Sequence, residues 1–147
     1  MKTTSIFAFL AALLMFSSSA VAQVKATVEC TVSGTKPSGE WSTKPFIERI
    51  QVESSKQMIT GKDGKPEEWG ISNAELLSDG KKQNPTLIAA TPEYAVLANA
   101  VTVGTGFERR LLVFTYMLDL KAMQLTRVVN SLPVSAEERT SSVCQSK

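Results

Sequence analysis

The stretch that most restricts this chain runs from Arg109 to Asn130. Read with a period of two, Leu112, Phe114, Tyr116, Leu118 and Leu120 share one face, and Leu111, Val113, Thr115, Met117 and Asp119 share the other, because successive strand side chains point to opposite sides. Apolar residues on both faces predict a central strand whose second face is also covered, by another layer, by closure into a barrel, or by a partner. The interval Lys121 to Gln124 permits a hairpin into a second strand, Leu125 to Asn130. Asp119, just before that turn, is placed to accept the turn's backbone amides.

The chain opens with Lys2, an apolar run from Ile6 to Phe16, three serines and an Ala20-Val21-Ala22 site. This order is that of a secretory signal peptide over residues 1–22. A transmembrane anchor needs about 20 apolar residues, and this run has 11. No cysteine stands at the cleavage point to carry a lipid. The expectation is therefore a periplasmic or secreted mature chain, residues 23–147, with no membrane span. Its 125 residues suit one domain with one core. Without Lys2, 15 cationic side chains face 14 acidic ones, a net charge of +1. Lys81-Lys82 and Arg109-Arg110 are isolated basic pairs, so no nucleic-acid surface is implied.

Cys30 and Cys144 are the only cysteines. Export favours a disulfide between them, closing a loop of roughly 115 residues for which chain entropy gives at most about 4.7 kcal/mol. A metal or redox role lacks both a Cys-x-x-Cys pair and any histidine.

Val24, Ala26, Val28, Cys30 and Val32 alternate with polar residues, predicting a half-buried first strand with Cys30 inward. Ser33 to Pro45, with its spaced Gly and Pro, reads as a loop in which Trp41 anchors on a core edge or marks a partner site. Phe46 to Glu53 follows as a strand whose inward parity Glu48 interrupts, then Gln57 to Thr60 as another, with Asp63-Gly64 as a turn. Ile71 to Ser78 fits a short helix or a strand, and strand is the reading adopted. Asp79 to Pro85 is a loop, Thr86 to Thr91 a short strand, and Tyr94 to Val103 a strand ending at Gly104-Thr105-Gly106. Ser135 to Glu138 can cap a single helical turn. The sum is an all-β, single-domain antiparallel sheet closed as a sandwich or small barrel.

Tyr116-Met117-Leu118-Asp119 followed by Leu125-Thr126-Arg127 resembles a pattern in small exported bacterial β-sheet proteins of unknown function. That resemblance implies antiparallel sheet and a late cysteine. It covers only the C-terminal hairpin, lacks the usual turn glycine, and transfers no activity.

The absence of histidine removes Ser-His, Cys-His and multi-His arrangements. Gly104 to Arg109 lacks the third glycine of a dinucleotide fingerprint, and Gly61 to Lys65 lacks Walker spacing. No cofactor is implied. Among carboxylates, Glu67-Glu68 and Glu137-Glu138 are adjacent pairs whose strand neighbours point apart. The function expected is non-catalytic binding or structure, with Leu111, Val113, Met117, Arg109 and Arg110 as a ligand or partner face. Two alternatives stay open: a small barrel holding an apolar ligand among Tyr94, Phe107, Phe114, Tyr116 and Met117, and a carboxylate-dependent hydrolase.

Overall fold

The computed structural model describes residues 23–133 and 136–147, so the signal peptide expected at 1–22 lies outside the described residues. The described chain is antiparallel sheet throughout, apart from one 3-10 turn at Gly106–Glu108. Strands β1 (Val24–Thr35), β2 (Trp41–Thr60), β3 (Pro66–Ser78), β4 (Lys81–Gln83), β5 (Thr86–Ala90), β6 (Tyr94–Val103), β7 (Arg110–Asp119), β8 (Gln124–Leu132) and β9 (Ala136–Ser146) form one sheet in the order β4-β3-β2-β1-β9-β8-β7-β6-β5. The sheet is curled into a half-barrel, and its inner face is the core.

The core follows from alternation. Val24, Val28, Cys30 and Val32 from β1, Phe46, Ile50 and Val52 from β2, Leu97 from β6, and Leu112, Phe114, Tyr116 and Leu118 from β7 are all buried on the inner face. The rings of Phe114 and Tyr116 lie 6.2 Å apart. Their opposite-parity neighbours face outward, as the period of two requires.

Several boundaries differ from the sequence reading, each for a physical reason. The loop expected over 33–45 is mostly strand: only the turn between Thr35 and Trp41 is irregular. Pro45 is tolerated in β2 because the β1–β2 register shifts between Val32 and Gly34, relieving the proline of a ladder donor. The two strands expected at 46–53 and 57–60 are one, β2. Its far half pairs with β3 alone, since β1 reaches only to Ser54. The loop at 79–85 holds the short β4. The strand adopted over 71–78 is present within β3.

The largest correction is the tail. The capped helical turn expected from Ser135 is absent from the described part of that segment, which is β9, with Ser135 itself outside the described residues. β9 has no apolar alternation to announce a strand. Its backbone is instead fixed by pairing on both sides, with β8 over Ala136–Val143 and with β1 over Cys144–Ser146. β9, not β7, is therefore the middle strand.

Disulfide and turn chemistry follow the sequence reading. Cys30 and Cys144 stand directly opposite each other across β1 and β9, bonded, with Cα atoms 4.1 Å apart. Asp119 accepts hydrogen bonds from the amides of Lys121 at 2.9 Å and Ala122 at 2.7 Å.

Candidate functional site

Two charged residues stand at inward positions. Glu48 lies between Phe46 and Ile50 on β2, and Arg127 lies between Leu125 and Val129 on β8; each is 0% exposed. Curling brings the two strands face to face. Arg127 donates from one terminal nitrogen to Glu48 Oε1 at 3.2 Å, and Ser78 of β3 donates to the same oxygen at 3.2 Å. Its other terminal nitrogen donates to the Ser33 carbonyl at 2.7 Å and to Glu138 Oε1 at 3.5 Å. Glu138 in turn accepts the Thr35 amide at 3.1 Å and the Thr35 hydroxyl at 2.6 Å. Gly34 has φ +102, and a Cβ there would collide with the Glu138 carboxylate, so glycine is what allows that carboxylate to close on β1. The Phe46 ring lies under both cations, Arg127 and Lys36, each 5.5 Å from its centroid.

Electrostatically the cluster holds one guanidinium between two carboxylates. Burial pushes the Glu48 carboxyl up from its ordinary value, against the pull of Arg127 and Ser78. Burial also pushes the Tyr116 phenol up, with the Glu48 charge adding to it. Tyr116 is the direct cross-strand neighbour of Arg127. The cluster is closed to solvent at Glu48 and Arg127, so its effect is to tie β2, β8, β9 and the end of β1 together. Sequence reading registered Glu48 only as an interruption and did not single out Arg127 as a buried ligand of it. The usable signal was a charge at inward parity on each of two strands.

The five residues of the expected ligand or partner face separate. Leu111, Val113 and Met117 share the outward face of β7, where Leu111 and Met117 are each 38% exposed. Among the described residues no second layer covers that face: the half-barrel has one inner face, and β7 uses Leu112, Phe114, Tyr116 and Leu118 to fill it. Arg110 has the opposite parity and stands at the mouth of the half-barrel, while Arg109 precedes the strand.

The aromatic set also divides. Phe114 and Tyr116 are core, whereas Tyr94 and Met117 face outward and Phe107 protrudes fully from the 3-10 turn; the five line no common cavity. Trp41, expected on a core edge, is 61% exposed. Glu67 and Glu68 lie exposed on the projecting β2–β3 hairpin. Glu137 points outward toward Arg139 at 3.7 Å, and Glu138 points inward.

Register extends the outward β7 face across its neighbours. Val96, Met117 and Thr126 form one row, Ala98, Thr115 and Val128 the next, and Ala100, Val113 and Asn130 a third, with Leu111 beside Leu132. Asp119, at the turn, is the only charged side chain on the outward side of β5–β8. Among the described residues no cluster of three or more His, Cys, Asp or Glu side chains is placed to hold a metal ion, and no helix is long and apolar enough to cross a membrane. No protein-family model matches this chain, and no curated protein or solved structure is significantly similar to it.

Proposed function

We propose that this chain is an exported, non-catalytic protein that works by docking a protein partner on the outward face of β5–β8. The observation that carries this reading is the uncharged face itself. Four strands spaced about 4.8 Å and roughly eight residues tall make a face of roughly 500 Å² on which Val, Leu, Met and Ala stand among Thr and Asn, and a nearly uncharged patch of this extent is often functional. Leu111, Met117 and Leu132 are all exposed on this side of the sheet. The leader-like N-terminal sequence and the Cys30–Cys144 bond support an oxidising compartment.

Val113→Asp tests the reading, because it places one charge in the middle of the face without entering the core. The variant is expected to melt cooperatively while losing its assemblies in sedimentation and in cross-linking of envelope fractions. A variant that unfolds, or one that keeps every wild-type assembly, sinks the proposal.

A further inference from the structure

At one end of the half-barrel the turn between β1 and β2 folds over the inner face of the sheet. It leaves an open recess of about 330 Å³ lined by Trp41, Arg110, Leu112, Val129, Ser131 and Glu138, among others. The recess is separate from the outward face of β5–β8, because Arg110, Leu112, Val129 and Ser131 have inward parity.

Its walls are held in place before any ligand arrives. Glu138 clamps Thr35 through the amide and hydroxyl contacts described above. Lys36 pairs with Asp79 at 2.7 Å, and its carbonyl accepts the Gly39 amide at 2.8 Å. Gly39 has φ +87, and a Cβ added there would come within 2.9 Å of the Val103 side chain, so the turn rests directly on β6. A preformed concavity with an apolar floor and a few polar groups is the general form of a small-molecule site.

The chemistry of the lining narrows the ligand. Leu112 and Val129 make a buried apolar floor, and the Trp41 indole presents a free aromatic surface at the wall. One charged group is unused. Arg110 is exposed and enters no ion pair among the described residues, whereas the Ser131 hydroxyl is closed to solvent beneath it. The Glu138 carboxylate, by contrast, is already occupied by Thr35 and Arg127. We infer that this recess binds a small organic anion with a flat apolar body, the acid group held by Arg110 and the body lying on Leu112 and Val129 beside Trp41.

The test uses 2-naphthoate as the anion and 2-naphthalenemethanol as its neutral counterpart, titrated into the full mature chain and followed by amide and indole NMR shifts. Naphthoate is expected to saturate and to move the Trp41 indole N–H, Arg110 and Ser131. Arg110→Gln should weaken naphthoate by about tenfold or more, the loss of one charge-assisted hydrogen bond, and leave the alcohol unchanged. Arg110→Lys should restore part of the affinity, which separates lost charge from lost fold, and Arg109→Gln should change nothing. The inference is overturned if naphthoate fails to saturate up to its solubility limit. It is equally overturned if the alcohol binds as tightly, if the shifts map to β5–β8 outward residues, or if Arg110→Gln weakens both probes alike.

Discussion

The two halves of the sheet have alike inner faces and unlike outer ones. On β1–β4 the outward rows are Lys25, Glu53 and Asn73, then Thr27, Gln51 and Glu75, then Glu29, Arg49, Leu77 and Lys82. These pair across strands: Arg49 and Lys147 both reach Glu29, which holds its carboxyl below the ordinary range, and Lys82 meets Glu75 at 2.6 Å. Exposed pairs of this kind add little stability, but charge along a sheet face discourages another surface from settling on it. The outward rows of β5–β8 carry Val, Met, Ala, Thr and Asn instead. Since both halves fold by the same inward alternation, folding does not require this difference. The proposed docking on β5–β8 rests on this contrast between a charged outer face and a nearly uncharged one.

If the halves are distinct surfaces on one frame, the joints between them should matter most to stability. Arg127→Met leaves Glu48 buried without its cation and is predicted to destabilise the fold by about 3–5 kcal/mol, read as a shift in the urea midpoint. Adding Glu48→Leu should recover most of that loss, because an apolar replacement of a buried pair is often neutral or better. Equal instability of single and double variants would contradict the assignment of Arg127 and Glu48 as one unit.

Opening the other joint comes next. Replacing Cys30 and Cys144 with serine is predicted to remove about 2–5 kcal/mol. Amide exchange should rise first along the three-pair β1–β9 ladder, before either half loosens. Uniform loss of protection would show that the halves are not separable.

A smaller effect depends on pH. A carboxyl whose folded pKa is raised holds a proton that the unfolded chain has already released, so stability falls as pH rises from the ordinary value of 4.5 through the raised one. Glu48→Gln removes that group and should flatten this decline in urea midpoints. An unchanged pH profile would place the titration elsewhere.

The smallest stability effects sharpen the surface comparison directly. Val113→Asp and Gln51→Asp sit at matching outward positions of the two halves, and each should cost about 1 kcal/mol or less. Only Val113→Asp should alter sedimentation.

Much of the frame was legible because period-two alternation is a local signal. Val24 to Val32 and Leu112 to Leu118 announced their buried faces, and Asp119 announced its turn. What stayed hidden depended on contacts distant in sequence. Pro45 reads as a breaker until the β1–β2 bulge places it off the ladder. Residues 136–143 contain only one apolar pair of ends, Ala136 and Val143, so nothing in their pattern says strand; their reason for being one is β8. Glu48 and Arg127 each look like a lapse in alternation, and only the curl that juxtaposes β2 and β8 turns two lapses into a pair. The recess at the mouth was half visible in Arg110, but its other wall comes from Trp41 across the sheet.

Strand order also has a bearing on how the molecule is put together in time. β1–β4 and β5–β8 are each a run of consecutive hairpins, and such neighbouring pairings close quickly because little chain must be gathered. The remaining seam joins β1 to β9, whose cysteines are 114 residues apart in sequence. A chain appearing N-terminus first therefore builds two separate meanders and holds them as unjoined pieces, each with one edge that the finished sheet covers, β1 or β8, until β9 slides between them. β9 acts as a latch, and a nascent chain halted short of it leaves the edges of β1 and β8 unpaired as well as those of β4 and β5.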